Sequence, residues 1–275
     1  MTTAVKDPLV FLIERLRSVK VESDPFPHYC LDRVFPDDYY AQLLLHLPHS
    51  DVYENLYEVT DLKLDHFRHR YQRDLNHGWT SALPADLQTF WNAFNQWFLS
   101  PELAQAVLES FAAPLRPRIG EQSSWPAVSV EAQFIRHRAG YFLGPHSDLY
   151  TKLVVLLIYL APDDGGAEHR GSAERLGTSL YRPKAAGFTC PDSKHYPFED
   201  FTRVKTAPYK PNSLLAFVRS DSSFHGLEPL TEHDVANEGR DVIQYVIHDK
   251  AARDAQLRAK RAASGQHTNE TEATS

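Results

Sequence analysis

Between residues 129 and 248 the chain breaks into short β-branched and leucine-rich runs punctuated by Pro, Gly, Asn and Asp. The runs at 130–135, 152–160, 177–181, 203–207, 214–218 and 242–248 are too short for typical buried helices and are bounded by turn signals. Such a succession of short strands must bury its faces in a sandwich or a barrel. The first third has a different period. Asp7-Pro8 can start a helix carrying Leu9, Leu12, Ile13 and Leu16 on one face. Pro36-Asp37-Asp38 precedes a second helical segment over 39–47, with acidic residues where the helix dipole favours them. Leu87, Phe90, Trp91, Phe94, Trp97 and Phe98 recur at helical spacing, and the pattern continues over 101–115. That aromatic stripe is expected to be core, facing a sheet. Helices followed by strands predict an α+β chain with the helices packed outside the strand core.

The chain has 275 residues, 42% of them hydrophobic, which is enough for one large domain. The expected organisation is a single domain over 1–250, with a helical part to about 115 and a strand core over about 129–248. Residues 251–275 read as a charged tail, helical at first over 251–263 and then too polar to fold. A net charge of −7 argues against a nucleic-acid partner. Cys30 and Cys190 form no CxxC and no disulfide framework, so reduced, buried thiols are expected. No apolar segment approaches the ~20 residues that span a bilayer. The apolar run at 9–13 is cut by Glu14 and Arg15, unlike a signal peptide. A soluble cytoplasmic protein without a membrane partner is the default expectation. The oligomeric state has no sequence signature here.

The chemistry-bearing residues sit at the edges of the strand runs. Gly144-Pro145-His146-Ser147-Asp148 precedes the 152–160 run, and Phe224-His225-Gly226 follows the 214–218 run. His-x-Asp with a distant His is the sequence form of the 2-His-1-carboxylate triad, which holds Fe(II) on one face and leaves the other open. With 14 histidines, about one His-x-Asp is expected by chance, so the context matters. Before a predicted strand, positions i and i+2 share a face, so His146 and Asp148 can point inward together. His225 would arrive from the opposite sheet. Arg240 opens the last strong run and can pair bidentately with a carboxylate. The basic segment 65–73, with His66, Arg68, His69, Arg70 and Arg73, is either a solvated loop or a source of positive charge for an anionic substrate. The glycine-rich stretch 163–179 is either a lid or a solvated loop. Arg170, Arg175, Tyr181 and Trp125 are further candidates for substrate contact.

Over residues 129–248 the chain resembles the Fe(II)- and 2-oxoglutarate-dependent dioxygenases of the broad prolyl-hydroxylase-like group. The resemblance rests on Gly140, Pro145, His146 and Asp148, the run ending Ile158-Tyr159-Leu160, the turn and strand at 212–217, Phe224-His225-Gly226, and Arg240. It implies a double-stranded β-helix (jelly-roll) core, with Fe(II) on His146, Asp148 and His225. It implies 2-oxoglutarate on the metal with its far carboxylate on Arg240, and O2 at the open position. The activity implied is hydroxylation of an unactivated carbon with release of succinate and CO2; desaturation or ring formation would use the same oxidant. Halogenases of the superfamily carry Gly or Ala at the carboxylate position, so Asp148 points to hydroxylation. Two departures stand out. An extra polar loop at 231–239 separates His225 from Arg240, which leaves Arg136, Arg138 and Lys152 as alternatives for the carboxylate. The usual Gly-Gly-Glu-Leu is replaced by Leu176-Gly177-Thr178-Ser179-Leu180-Tyr181. The expected substrate is a small, polar, anionic metabolite such as an amino-acid derivative. A protein or peptide side chain is the alternative within the class, and a non-catalytic jelly-roll binding or sensing protein is the alternative outside it.

Overall fold

A computed structural model describes residues 7–76, 78–120, 125–162, 170–191, 193–235 and 239–263. The helical first third follows its local signals. Asp7 caps α1 (Pro8–Arg17) by accepting hydrogen bonds from the Leu9 and Val10 amides at 2.9 and 3.1 Å, and the helix buries Leu12 and Leu16. After β1 (His28–Asp32), α2 (Asp37–Leu45) starts on its two aspartates. The short β2 (Glu54–Asn55), α3 (Leu56–Val59) and β3 (Arg70–Asp74) come next. The aromatic stripe lies on α4 (Ala85–Phe98), which buries Trp91, Phe94 and Phe98. The helical pattern over 101–115 is two helices, α5 (Pro101–Ser110) and α6 (Ala112–Ile119), broken at Phe111.

The second half holds β4 (Val128–His137), β5 (Leu143–His146), β6 (Lys152–Tyr159), α7 (Arg170–Arg175), β7 (Thr178–Pro183), β8 (Phe201–Ala207), β9 (Ser213–Val218), β10 (His225–Leu227), α8 (Glu232–Val235), β11 (Arg240–Asp249) and α9 (Lys250–Ala263). Two sheets form, in the orders β1-β9-β6-β11-β4-β3-β2 and β5-β10-β7-β8, with antiparallel pairing throughout. From β4 onward the chain winds between the sheets, so β4, β6, β9 and β11 form one wall and β5, β7, β8 and β10 the other. That is the double-stranded β-helix.

Period-2 alternation divides each long strand between two cores. Ile243, Tyr245, Ile247, Leu156, Ile158, Leu214 and Ala216 face the helices. The Phe98 ring meets Tyr245 at 5.1 Å, so the aromatic stripe does face the sheet. Val242, Val246, Val155, Tyr159, Leu215 and Phe217 face the barrel interior with Leu180 and Leu227 of the second sheet. Strands buried on both faces read as continuous apolar runs, which is why β6, β9 and β11 are legible in the sequence.

Several elements differ from expectation. Residues 143–146, outside every run read as a strand, form β5 with Gly144 and Pro145 inside it, so His146 ends a strand of its own in the second sheet and Asp148 lies in the turn beyond it. Residues 250–263 form α9, which packs against β4 and β11. The rest of the expected tail, 264–275, lies outside the described residues. Cys30 is exposed while Cys190 is buried, and neither is in a disulfide. Among the described residues no helix is long and apolar enough to cross a membrane.

Candidate active site

β5 and β10 pair with His146 directly opposite His225, and their rings lie 4.3 Å apart. Asp148 reaches the same point from the turn between β5 and β6. The potential ligand atoms of His146, Asp148 and His225 all lie within 4.8 Å of one another, and all three residues are buried. The strands meet closely here. A Cβ on Gly226 would sit 2.4 Å from the Leu143 carbonyl oxygen, and one on Gly144 would sit 2.5 Å from that of Tyr196. Backbone cannot yield as a flexible side chain would. Gly226→Ala is therefore expected to push β10 off β5, lowering both the thermal midpoint and divalent-metal affinity, read by calorimetry on purified protein. An unchanged metal affinity would show that this contact does not set the spacing of the histidines.

The tautomers are fixed by acceptors that cannot donate. The Nδ1 atoms of His146 and His225 lie 3.1 Å from the carbonyl oxygens of Gly144 and Ser223, so each Nδ1 carries the hydrogen. Each Nε2 then offers a lone pair. Burial pushes both imidazoles below the ordinary histidine pKa, so they are neutral. Asp148 Oδ1 accepts from Lys152 Nζ at 2.6 Å, and its backbone carbonyl accepts from Arg219 Nε at 2.9 Å. Burial opposes ionisation of Asp148, but the Lys152 ammonium outweighs it and holds the carboxyl well below the usual carboxylate range. Asp148 Oδ2 is buried without a hydrogen-bond partner and stands 3.6 Å from His225 Nε2. Two lone pairs thus face each other with no proton between them, an arrangement that a cation relieves. Neutral nitrogen and carboxylate oxygen donors suit Fe(II), and three ligands leave the open face that a closed four-ligand zinc site lacks.

A cavity of about 400 Å³ runs past the triad inside the barrel. At one end lies Arg240, 3% exposed. Its Nε donates to the Leu176 carbonyl at 2.5 Å and its Nη2 to Thr178 Oγ1 at 3.1 Å, while Nη1 lies 3.2 Å from His137 Nδ1. His137 is kept neutral by burial, reinforced by the charges of Arg240 and Arg70. No carboxylate pairs with Arg240 among the described residues. The neighbouring Tyr141 hydroxyl is buried without a hydrogen-bond partner. A buried guanidinium without an anion is costly, so the chemistry of this end of the cavity suits an anionic ligand. The sequence alternatives are engaged elsewhere. Arg136 is bidentate on Asp241 at 2.7 and 2.8 Å, Arg138 lies over Tyr71 at 5.5 Å, and Lys152 holds Asp148.

No family model and no curated protein matches this chain. Solved structures do. A Pseudomonas putida prolyl-4-hydroxylase is similar with a TM-score of 0.45 and 15% identity, covering 88% of this chain and 98% of that one. HygX from Streptomyces hygroscopicus, solved with nickel and 2-oxoglutarate bound, has a TM-score of 0.41 and 12% identity, covering 90% and 88%. TqaL, described as an Fe(II)/α-ketoglutarate-dependent dioxygenase, has a TM-score of 0.39 and 12% identity, covering 88% and 90%. At scores this low the fold rests on the strand order and register alone.

The other sequence-derived candidates lie away from the cavity. Tyr181 packs with Phe201 and Phe224 and donates to Glu228 at 2.8 Å. Trp125 lies against the helical core, and Arg175 donates to the Pro229 carbonyl at 2.5 Å. Of the expected lid over 163–179, residues 163–169 and the side chain of Arg170 lie outside the described residues, while 170–175 form α7 and Thr178 begins β7. The basic segment is divided: Phe67 and Arg70 line the cavity, whereas Arg68 stacks on Tyr57 at 3.6 Å and Arg73 lies 3.6 Å from Glu54. Sequence reading missed His195, whose ring meets His146 at 5.0 Å and whose pKa burial lowers to about 4. It also missed the inward polar residues Glu131, Gln133, Gln244 and His248. Their alternation along β4 and β11 was the available signal.

These buried histidines set an acid limit on the metal-free fold. Burial is the leading cause of lowered pKa at His28, His137, His146, His195, His225 and His248. Near the ordinary histidine pKa of ~6.5 each takes up a proton in the unfolded chain but not in the folded one. Below that pH the unfolded state binds more protons, so stability falls as pH falls, by up to about 1.4 kcal/mol per pH unit for each group. Denaturant titrations between about pH 7 and pH 5 should show this loss; a flat profile would mean that these imidazoles are protonated in the folded state.

Proposed function

We propose that the protein is an Fe(II)- and 2-oxoglutarate-dependent oxygenase that hydroxylates an unactivated carbon of a small polar molecule, yielding succinate and CO2 alongside the product. The observation that carries this reading is the orphaned Asp148 Oδ2 facing the His225 Nε2 lone pair at 3.6 Å. His146, Asp148 and His225 would hold the iron, and Arg240 with Thr178 and Tyr141 would hold the far carboxylate of 2-oxoglutarate. The bound metal and cosubstrate supply the activation of O2 and the oxidising power. The chain supplies the rest. Lys152 keeps Asp148 ionised and oriented, the two backbone carbonyls fix the imidazoles, and Ile135 and Val242 wall the space between the anion end and the triad with apolar surface. A cavity of about 400 Å³ lies in the range of small-molecule sites, which favours a metabolite over a protein side chain. The test is oxygen uptake and succinate formation by protein given Fe(II) and 2-oxoglutarate. Succinate formation that requires both and disappears in His225→Ala is expected; a well-folded protein that binds neither would support a non-catalytic jelly roll.

A further inference from the structure

We propose that α9 and the adjoining ends of β4 and β11 form the substrate-recognition site, and that it selects a zwitterionic α-amino acid through Glu131 and Arg253. This rests on the oxygenase reading and names the class of molecule brought to its metal.

The inward positions of β4 and β11 face each other in rows set by the register: His137 with Arg240, Ile135 with Val242, Gln133 with Gln244, and Glu131 with Val246. The first row serves the anion end and the second is apolar. Beyond them the interior turns polar again, with Gln133, Gln244, Glu131 and His248 all lining the cavity. Folding does not require this. Inward residues of the neighbouring strands, such as Val155, Leu215 and Phe217, are apolar and close-packed. Polar groups turned into a barrel cost stability unless they are satisfied, so their concentration here marks a polar ligand. Gln133 Nε2 donates to Gln244 Oε1 at 2.8 Å, which uses one end of each amide. His248 Nδ1 lies 3.2 Å from Thr151 Oγ1, while its buried Nε2 stands 3.6 Å from Glu131 Oε2, beyond hydrogen-bond distance.

α9 closes this half of the cavity. Arg253, Gln256, Leu257 and Lys260 line it from successive turns of one helix face. The described side chains of α9 include no buried residue, so the helix adds little to the core. Arg253 Nη2 donates to Glu131 Oε2 at 2.5 Å, with the two side chains still 25% and 32% exposed. The neighbouring His248 and the charge of Arg253 bring the Glu131 carboxyl down to about 2, against burial, so it is ionised. A zwitterion can exchange into such a pair, its ammonium on Glu131 and its carboxylate on the Arg253 fork. Lys260, exposed on the same face, adds a second cation for the carboxylate. A simple amine or a simple acid would part the pair and leave one charge without a partner. The cluster therefore discriminates by charge pattern.

The test uses the full chain loaded anaerobically with Fe(II) and 2-oxoglutarate. It is titrated calorimetrically with the free proteinogenic L-amino acids, their decarboxylated amines and their deaminated acids. At least one amino acid should bind about tenfold or more tightly than its own amine and acid. Glu131→Gln and Arg253→Met should each weaken that binding about tenfold, with the visible band of the Fe(II) and 2-oxoglutarate complex unchanged. Lys260→Ala, at an exposed position that cannot unfold the chain, should weaken it severalfold. Amines or acids that bind as well as the amino acid, or no amino acid binding while the visible band forms, would overturn the proposal and leave the oxygenase reading standing. Failure of the band itself would overturn both.

Discussion

Asp148→Ala should abolish turnover and weaken Fe(II) binding by more than about 100-fold, since even partners outside the ligand set are worth 10–100-fold. The effect is large because the carboxylate does two jobs. It is the only anion among the three ligands, and it neutralises the Lys152 ammonium 2.6 Å away. Without it, two neutral imidazoles remain beside an unpaired cation that repels the metal. Asp148→Asn keeps the shape and removes the charge, so it should fall nearly as far. Metal titration followed by succinate assay, with unfolding curves to confirm the fold, reads both effects. Normal turnover by the alanine variant would remove the triad from the chemistry.

Arg240→Met should separate stability from cosubstrate binding. In the metal-free protein the guanidinium is buried among Tyr159 and Tyr209, whose ring centres lie 5.3 and 5.2 Å from its carbon, with no carboxylate paired to it among the described residues. Removing a buried charge in exchange for an apolar side chain is neutral to stabilising, by up to about 4 kcal/mol. The variant without ligand should therefore be at least as stable as the wild type. The same change removes the buried guanidinium at the anion end, so the 2-oxoglutarate requirement should rise about 100-fold, roughly two charge-assisted hydrogen bonds. Binding stabilises the native state by RT ln(1 + [L]/Kd), so 2-oxoglutarate should raise the unfolding midpoint of the wild type and leave that of Arg240→Met in place. A variant that is destabilised yet still responds to 2-oxoglutarate would assign Arg240 to the scaffold.

The two residue classes in these predictions were not equally legible. His146, Asp148 and His225 stood out by spacing, and β6, β9 and β11 by their apolar runs, because both patterns are local. Their joining was not legible. The spacing puts His146 and Asp148 together before one strand and brings His225 from the opposite sheet, whereas His146 ends β5, Asp148 lies in the turn after it, and His225 pairs with His146 within the same sheet. Gly144 and Pro145 concealed that strand, and the close approach at Gly226 explains why small residues stand there. Arg175, Tyr181 and Trp125 had the right chemistry but no orientation, and they pack elsewhere. The lining contributed by α9 was hidden for another reason: Arg253, Gln256, Leu257 and Lys260 in a charged segment read like any solvated helix face until β4 and β11 are beside it.

The proposed function requires this barrel to assemble Fe(II) and 2-oxoglutarate at one point. Anaerobic addition of Fe(II) and then 2-oxoglutarate to the purified chain tests it most directly. A visible charge-transfer band that needs both additions, and is lost in Asp148→Ala and weakened in Arg240→Met, is the expected result. A well-folded protein showing no band at saturating concentrations of both would contradict it.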